Sequence, residues 1–263
     1  MPRLALGLLK VSKHNFPADP AGRMDEFALT VSQADTLLRA KFGGAPDLRM
    51  LVAPEYFWSG YGVIGRTVPV LGPIAMDRDD KHRIYGGLKK ISKRAGSLVL
   101  VAGSIFYHKP GQTRALAYNV CPVLRRGSFL LKQYKEFDDG AAGKNAGRFG
   151  YDVKDSDPFF EVDGVGVGLE ICGEHGRLAT WNANANRTVD LQILISDGSR
   201  FLPANMVVRN GGFAIHTDMN GNSVSAGVYP AGGPYTTAHA LPPDGISGAQ
   251  VNGGMVMTYS LTI

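Results

Sequence analysis

The sequence predicts a mixed α/β fold, of the α/β or α+β kind, built on a large mixed sheet. Three observations carry this. Strand-like and helix-like segments alternate through the first half of the chain, with hairpins mixed in among them. Apolar residues make up 44% of the 263 residues and charged residues 19%, so a sizeable core can form and disorder is not expected. No linker or fixed-period repeat divides the chain, so residues 1–263 read as a single domain whose last part, 231–263, is a Gly/Pro-rich tail.

The elements follow in order. "RLALGLLKVS", residues 3–12, is a first strand. Residues 25–42 form a helix whose apolar set is Phe27, Val31, Ala34, Leu37, Leu38 and Phe42. "GGAPD" ends it and "LRMLVAPE" begins a buried strand. A second helix spans 79–95, with Ile84, Leu88, Ile91 and Ala95 on one face and Gly96 as its C-cap. "SLVLVAGSIFYH" reads as a strand, and "RALAYNVCPVLRRGSFLLKQYK" as two strands joined at "RRGS". Residues 140–157 are polar and glycine-rich, which predicts a surface loop. "PFFEVDGVGVGLEIC" is a hairpin turning at Asp163-Gly164. "VDLQILISDGS" is a buried strand, "PANMVVRNG" a helix opened by Pro203, and "FAIHTDMN" and "SVSAGVYP" are strands. "GMVMTYSLTI" closes the chain as a last strand.

Charge and cysteine content narrow the function classes. The net charge is +5 and the pI about 9.2. The basic residues cluster in "RDDKHRIYGGLKKISKRAG", mostly opposite the apolar face of a helix, which is a solvated face; no nucleic-acid motif accompanies it. No apolar run has the length of a membrane helix, and the N-terminus lacks a signal-type core. Two cysteines do not make a disulfide framework, so a reducing, cytoplasmic setting is expected, with a Cys121–Cys172 bridge as the alternative. Six scattered histidines offer no ligand spacing, so neither a metal nor a cofactor is expected.

Three stretches can carry chemistry. In "GVGVGLEICGEHG" the strand alternation puts Gly166, Gly168, Glu170 and Cys172 on one face, and the glycines leave space there. A cysteine at such a strand-to-turn corner can face a pocket, with backbone N–H groups nearby to hold a thiolate or an oxyanion. Cys121, inside "AYNVCPVL", reads as core instead. In "LVAPEYFW" a strand ends in Pro54 and delivers Glu55 among Tyr56, Phe57 and Trp58, a partly desolvated setting that suits a general base. In "GSFLLKQYKEFDDG" a strand delivers Lys135 to a turn with Glu136, Asp138 and Asp139, where a cation can face a developing oxyanion. Taken singly, each has an ordinary structural reading: a core cysteine, a loop glutamate, a surface lysine.

Together, these blocks resemble the nitrilase superfamily of carbon–nitrogen hydrolases. "LVAPEYFW" is similar to its glutamate block, "AYNVCPVLRRGSFLLKQYKEF" to its lysine block and "GVGVGLEICGEHGR" to its cysteine block, in the family's order and spacing. "LVLVAGSIF", "VDLQILISDGS" and "RNGGFAIHTDMNG" resemble supporting segments, so the likeness runs from about residue 3 to about residue 230. The sequence departs from the pattern at Gly173, where many members carry an aromatic or charged residue, and at Glu170, where small or apolar residues are usual. "CGEH" resembles the "CWEH" of true nitrilases with the Trp missing.

The resemblance implies a four-layer α-β-β-α sandwich, two mixed sheets flanked by helices, often paired as a homodimer or higher homo-oligomer. It implies Cys172 as nucleophile, Glu55 as general base and Lys135 as stabiliser of the tetrahedral intermediate; the family lysine lies eight positions after a hairpin glycine, here Gly127, which selects Lys135 over Lys132. Gly173 would supply an oxyanion N–H, with Tyr56, Glu136 and Glu174 around the substrate. The second active-site acid is left open among Glu136, Asp138 and Asp139, and Glu170 is either a pocket carboxylate or the partner of a buried Arg or Lys. The implied reaction is hydrolysis of a small amide or carbamoyl amide through a thioester, without cofactor, metal, nucleic acid or membrane. The alternatives are a nitrilase acting on a nitrile and a catalytically silent binding protein of the same fold.

Overall fold

The computed structural model describes residues 1–11, 20–64, 70–111, 114–136, 138, 140, 149–152, 154–180, 187–219, 226–248 and 254–263. In chain order the strands are β1 (Arg3–Lys10), β2 (Leu48–Ala53), β3 (Gly60–Ile64), β4 (Val70–Ile74), β5 (Met76–Asp77), β6 (Val99–Ala102), β7 (Ile105–Lys109), β8 (Ala115–Arg125), β9 (Ser128–Tyr134), β10 (Phe149–Tyr151), β11 (Phe159–Val162), β12 (Val165–Ile171), β13 (Val189–Ser196), β14 (Val208–Asp218), β15 (Gly227–Pro230), β16 (Gly245–Gly248) and β17 (Met255–Thr262). The long helices are α1 (Pro20–Arg39) and α2 (Arg78–Ala95). None among the described residues is long and apolar enough to cross a membrane.

The first sheet runs β16-β17-β1-β2-β6-β8-β7-β5, with β9 and β10 also paired to β8. The second runs β11-β12-β13-β14-β15, and β3 and β4 form a separate hairpin. The two large sheets pack face to face. Leu4, Leu6 and Leu8 of β1 and Met50 and Val52 of β2 share one buried cluster with Val165, Val167, Leu169 and Ile171 of β12 and Leu191, Ile193 and Ile195 of β13. The intervening residues, Ala5 and Leu9 of β1 and Leu51 and Ala53 of β2, cluster with Phe27, Val31, Ala34 and Leu38 of α1 and Ile84, Leu88 and Ile91 of α2. Both faces of these strands are covered, so their sequences are continuously apolar rather than alternating.

β17 pairs antiparallel with β1 along its whole length, from Arg3 opposite Thr262 to Lys10 opposite Met255. The last strand of the Gly/Pro-rich tail is thus an inner strand of the first sheet. On the outer face of the second sheet the described residues include one helical turn, 177–180, and an aromatic cover of Phe201, Tyr229 and Tyr235 over Leu194 and Ala214. The helical layer on that side is correspondingly slight among the described residues.

Several local expectations need correction. "PANMVVRNG" is not a helix: a single 3₁₀ turn at Pro203–Asn205 leads into β14, whose first residue is Val208. The Val207 N–H is taken by the Gln192 side chain at 2.9 Å, so the segment is tied to β13 instead of coiling. "SLVLVAGSIFYH" is two strands, because the chain kinks at Gly103 and Ser104. α1 starts and ends earlier than 25–42. Leu37 is 38% exposed, and Phe42 sits at φ +53° in a 3₁₀ turn beyond the helix. Within 140–157, β10 runs parallel to β8, while 141–148 lie outside the described residues. Of "SVSAGVYP", residues 223–225 also lie outside them and β15 accounts for 227–230.

Candidate active site

Glu55 lies in the turn after β2. Tyr56 takes φ +53° there, so the chain doubles back sharply. The kink between β6 and β7 holds this turn. Ser104 Oγ accepts the Tyr56 N–H at 2.8 Å, Ser104 N–H donates to Pro54 O at 3.3 Å, and Trp58 N–H donates to Ser104 O at 3.3 Å. Only glycine fits next to Ser104: Gly103 has φ +72°, and a Cβ there would lie 2.6 Å from Pro54 O. From α1, buried Arg23 donates to Phe57 O at 3.1 Å and to Ser59 O at 2.9 Å.

The turn seals a carboxylate inside the protein. Glu55 Oε1 accepts Lys135 Nζ and Asn119 Nδ2, each at 2.9 Å, and Oε2 accepts the Asp197 N–H at 3.0 Å. Glu55 is 0% and Lys135 2% exposed. Burying either ion alone would cost several kcal/mol; together, with further hydrogen bonds, they are held in one geometry. Lys135 directly follows β9, and its N–H donates to Asn119 O at 2.9 Å. Asn119 on β8 therefore fixes both partners, the lysine through its main chain and the glutamate through its side chain. Tyr151 donates its hydroxyl to Lys135 O at 2.8 Å.

Cys172 directly follows β12, has φ +51° and opens a 3₁₀ turn over Cys172–Glu174. It is 7% exposed, and its Sγ lies 3.4 Å from Ser199 Oγ. Two short links join this turn to the Glu55–Lys135 pair. The segment after β13 places the Asp197 N–H on Glu55 and the Ser199 hydroxyl on Cys172. Across the turn, Glu174 Oε1 accepts the N–H of Glu136, the residue next to Lys135.

The remaining expected residues fall as follows. The Tyr56 ring is buried against Phe106 and lies 5.8 Å from Lys135 Nζ, so it packs the lysine. Glu136 turns to Arg177 in an ion pair. Gly173 is exposed in the turn. Burial pushes the Glu174 carboxyl up to about 7, against the Glu136 N–H and the Arg177 charge, and its Oε2 has no hydrogen-bond partner among the described residues. Asp138 is exposed, and its Oδ1 accepts the Gly140 N–H at 2.9 Å. Asp139 lies outside the described residues. Cys121 is core, and burial drives its thiol far above the ordinary range. Neither cysteine is in a disulfide, so no Cys121–Cys172 bridge forms. Among the described residues no cluster of His, Cys, Asp or Glu could hold a metal ion.

Glu170 does not share the face of Cys172. The left-handed turn at Cys172 breaks the strand alternation, so the cysteine joins the inner cluster with Leu169 and Ile171. Glu170 instead meets His175, Gly176, Leu178 and Gln192, neither Arg nor Lys. The space expected beside Gly168 is filled by Leu178, whose Cδ1 lies 2.6 Å from where a Cβ would be.

No protein-family model and no curated protein sequence matches the chain. Solved structures do. Saccharomyces cerevisiae Nit3, described as a member of branch 10 of the nitrilase superfamily, aligns at 15% identity over 99% of this chain and 90% of its own, with a TM-score of 0.58. The chain has the nitrilase-superfamily fold. An amidase of that superfamily from Nesterenkonia AN1, as a cysteine-to-alanine variant, aligns at 16% identity over 97% and 90% of the two chains, TM-score 0.60. A glutamate-to-leucine variant of the Nesterenkonia sp. AN1 amidase, at 15% identity and TM-score 0.60 over 97% and 90% of the chains, carries the acetamide moiety of fluoroacetamide on its active-site cysteine.

Within this nitrilase-type fold, chain ends converge that lie far apart in sequence: the ends of β2, β9, β12 and β13. The arrangement offers a buried carboxylate, a buried ammonium and a thiol at a strained turn, which is the equipment for acyl transfer. Four participants escaped sequence reasoning. Asn119 lies in the "YN" of "AYNVCPVL", where a polar residue inside an apolar strand was a usable signal. Ser199 and the Asp197 N–H sit in "SDGS", an ordinary turn composition without a distinguishing mark. Tyr61 hydrogen-bonds Asp197 at 3.3 Å, and burial raises its hydroxyl well above the usual tyrosine value.

Proposed function

We propose that the protein hydrolyses a non-peptide carbon–nitrogen bond, in an amide or carbamoyl amide, through a thioester on Cys172. The observation that carries this reading is the sealed Glu55–Lys135 pair, reached from the Cys172 turn through Asp197–Ser199 on one side and Glu174–Glu136 on the other. A structural ion pair alone does not account for a thiol in a left-handed turn tied to it by these two links. The adduct on the active-site cysteine of an amidase with the same fold supports the assignment of the nucleophile.

Glu55 takes the proton from the Cys172 thiol, and the thiolate attacks the carbonyl carbon, converting C=O to a tetrahedral oxyanion. Lys135 Nζ, with the Gly173 N–H, stabilises that oxyanion. Protonated Glu55 passes its proton to the departing nitrogen as the C–N bond breaks, leaving a thioester and ammonia or an amine. Water then gives a proton to Glu55 and its hydroxide to the acyl carbon. The second tetrahedral species expels the thiolate, which is reprotonated from Glu55. Asn119 and the Asp197 N–H keep the carboxylate aimed throughout.

The test is ammonia release across small amides, carbamoyl amines and nitriles, with Cys172→Ala as control. Turnover on the amide or carbamoyl compounds that disappears in the variant is expected. Turnover on nitriles alone would make the protein a nitrilase. Silence across the panel would remove the hydrolase reading.

A further inference from the structure

Glu170 is a buried carboxylate that the proposed chemistry does not use. It is 0% exposed, and its partners are fully specified. Oε1 accepts the N–H groups of Gly176 at 2.8 Å and Leu178 at 3.1 Å; Oε2 accepts Gln192 Nε2 at 2.9 Å and faces His175 Nδ1 at 2.8 Å. The Leu202 N–H donates to His175 Nε2 at 2.9 Å. A backbone N–H can only donate, so Nε2 is the acceptor and Nδ1 carries the hydrogen given to Glu170. The ring is further pinned by Phe201, 5.3 Å away edge-on, and the His175 carbonyl accepts Asn205 Nδ2 at 2.8 Å.

These bonds form a closed circuit around the nucleophile. Strand β12 carries Glu170, and Cys172 opens the turn that directly follows it. His175 N–H donates to Cys172 O at 3.0 Å and closes the turn. The same histidine grips Leu202, three residues past Ser199, whose hydroxyl lies 3.4 Å from Cys172 Sγ. One buried anion thus fixes both the strained cysteine and the loop that brings a hydroxyl to its sulfur. A left-handed non-glycine residue persists only when its surroundings over-determine it, and these bonds do so.

We propose that Glu170 and His175 are positioning residues for Cys172: through Leu202 they hold the Ser199 hydroxyl against Sγ, where it donates to the thiolate. This rests on Cys172 being the nucleophile. It also explains why a carboxylate occupies a strand position where a small or apolar residue would pack more simply. Ser199 touches the reacting sulfur; Glu170 and His175 act through it.

The test reads the thiol directly and needs no substrate. Iodoacetamide alkylation of Cys172 at neutral pH is followed by peptide mass in the wild type, Ser199→Ala, His175→Gln and the double variant, with thermal melts to confirm folding. Each single variant is expected to alkylate roughly tenfold more slowly, the scale of one hydrogen bond to a charged group, and the double variant no more slowly than either. Ser199→Thr, which keeps the hydroxyl, should recover most of the rate. An unchanged rate in Ser199→Ala, or additive losses in the double variant, overturns the proposal. Glu170→Gln adds a spectroscopic readout: the imidazole ¹⁵N shifts of His175 should move, because the amide presents a donor to Nδ1. An unmoved signal in a folded variant counts against the pair. Should the cycle behave as expected while no amide or nitrile is turned over, the positioning inference stands and the hydrolase reading falls.

Discussion

Lys135 Nζ lies 2.9 Å from Glu55 Oε1, and neither side chain reaches solvent. The two residues are 80 positions apart and sit at the ends of non-adjacent strands, β2 and β9. Removing one partner strands the other. Lys135→Met should abolish turnover and destabilise the fold by about 3–5 kcal/mol, since an uncompensated carboxylate remains buried. Denaturant unfolding with a spectroscopic probe checks the second part. A variant as stable as the wild type would show that the pair is not a sealed ion pair.

Asn119 gives Glu55 a hydrogen bond beside those from Lys135 and the Asp197 N–H, while its own Oδ1 has no partner among the described residues. Its amide therefore serves as a donor. Asn119→Leu should lower kcat about 10- to 100-fold with little change in KM, matching the loss of about 1.5–3 kcal/mol for a hydrogen bond to a charged group. A KM effect alone would place Asn119 on the substrate instead of on the base.

Glu174 gives a pH signature. Burial lifts its carboxyl from 4.5 to about 7. A group whose folded value is raised favours the folded state fully below the unfolded value and loses that contribution as pH climbs through the folded one. Stability should therefore fall between about pH 4.5 and 7, by up to roughly 3 kcal/mol. Glu174→Gln should flatten that slope, which a set of urea melts at different pH values measures. A wild-type curve that rises through this window would contradict the burial argument.

Gly103 is the hinge of the Glu55 turn. Gly103→Ala forces a Cβ to within 2.6 Å of Pro54 O at a φ of +72°. The expected cost is on the order of 2 kcal/mol or more, with a parallel loss of activity because the carboxylate is displaced. Thermal melts read the first and ammonia release the second. Stability lost with turnover intact would uncouple this hinge from the site.

That Glu55 and Cys172 stand where strands give way to turns was legible because each closes an apolar run, and apolar periodicity survives in a linear sequence; Lys135 follows Lys132 and Gln133 and was singled out only by the likeness of its block to the family's. The alternation of "GVGVGLEIC" was also legible, but it misassigned Glu170. A single left-handed residue at 172 resets which side faces in, and nothing local announces that. "PANMVVRNG" misled for a related reason: Pro203 fits a helix start as well as a 3₁₀ turn, and the Gln192 side chain that draws Val207 toward β13 is distant in sequence. Ser199 and the Asp197 N–H became visible only when β13 was laid beside β12, since a turn of small polar residues looks the same whether or not it borders a thiol.

The most direct measurement is the mass of the protein caught during the proposed turnover. Rapid acid quench after mixing with a small amide, followed by peptide mapping, should find the acyl group on the peptide containing Cys172. It should find none on Cys121 and none in Cys172→Ala. Ammonia produced with no acyl adduct at Cys172, or sustained turnover by Cys172→Ala, would contradict the thioester route.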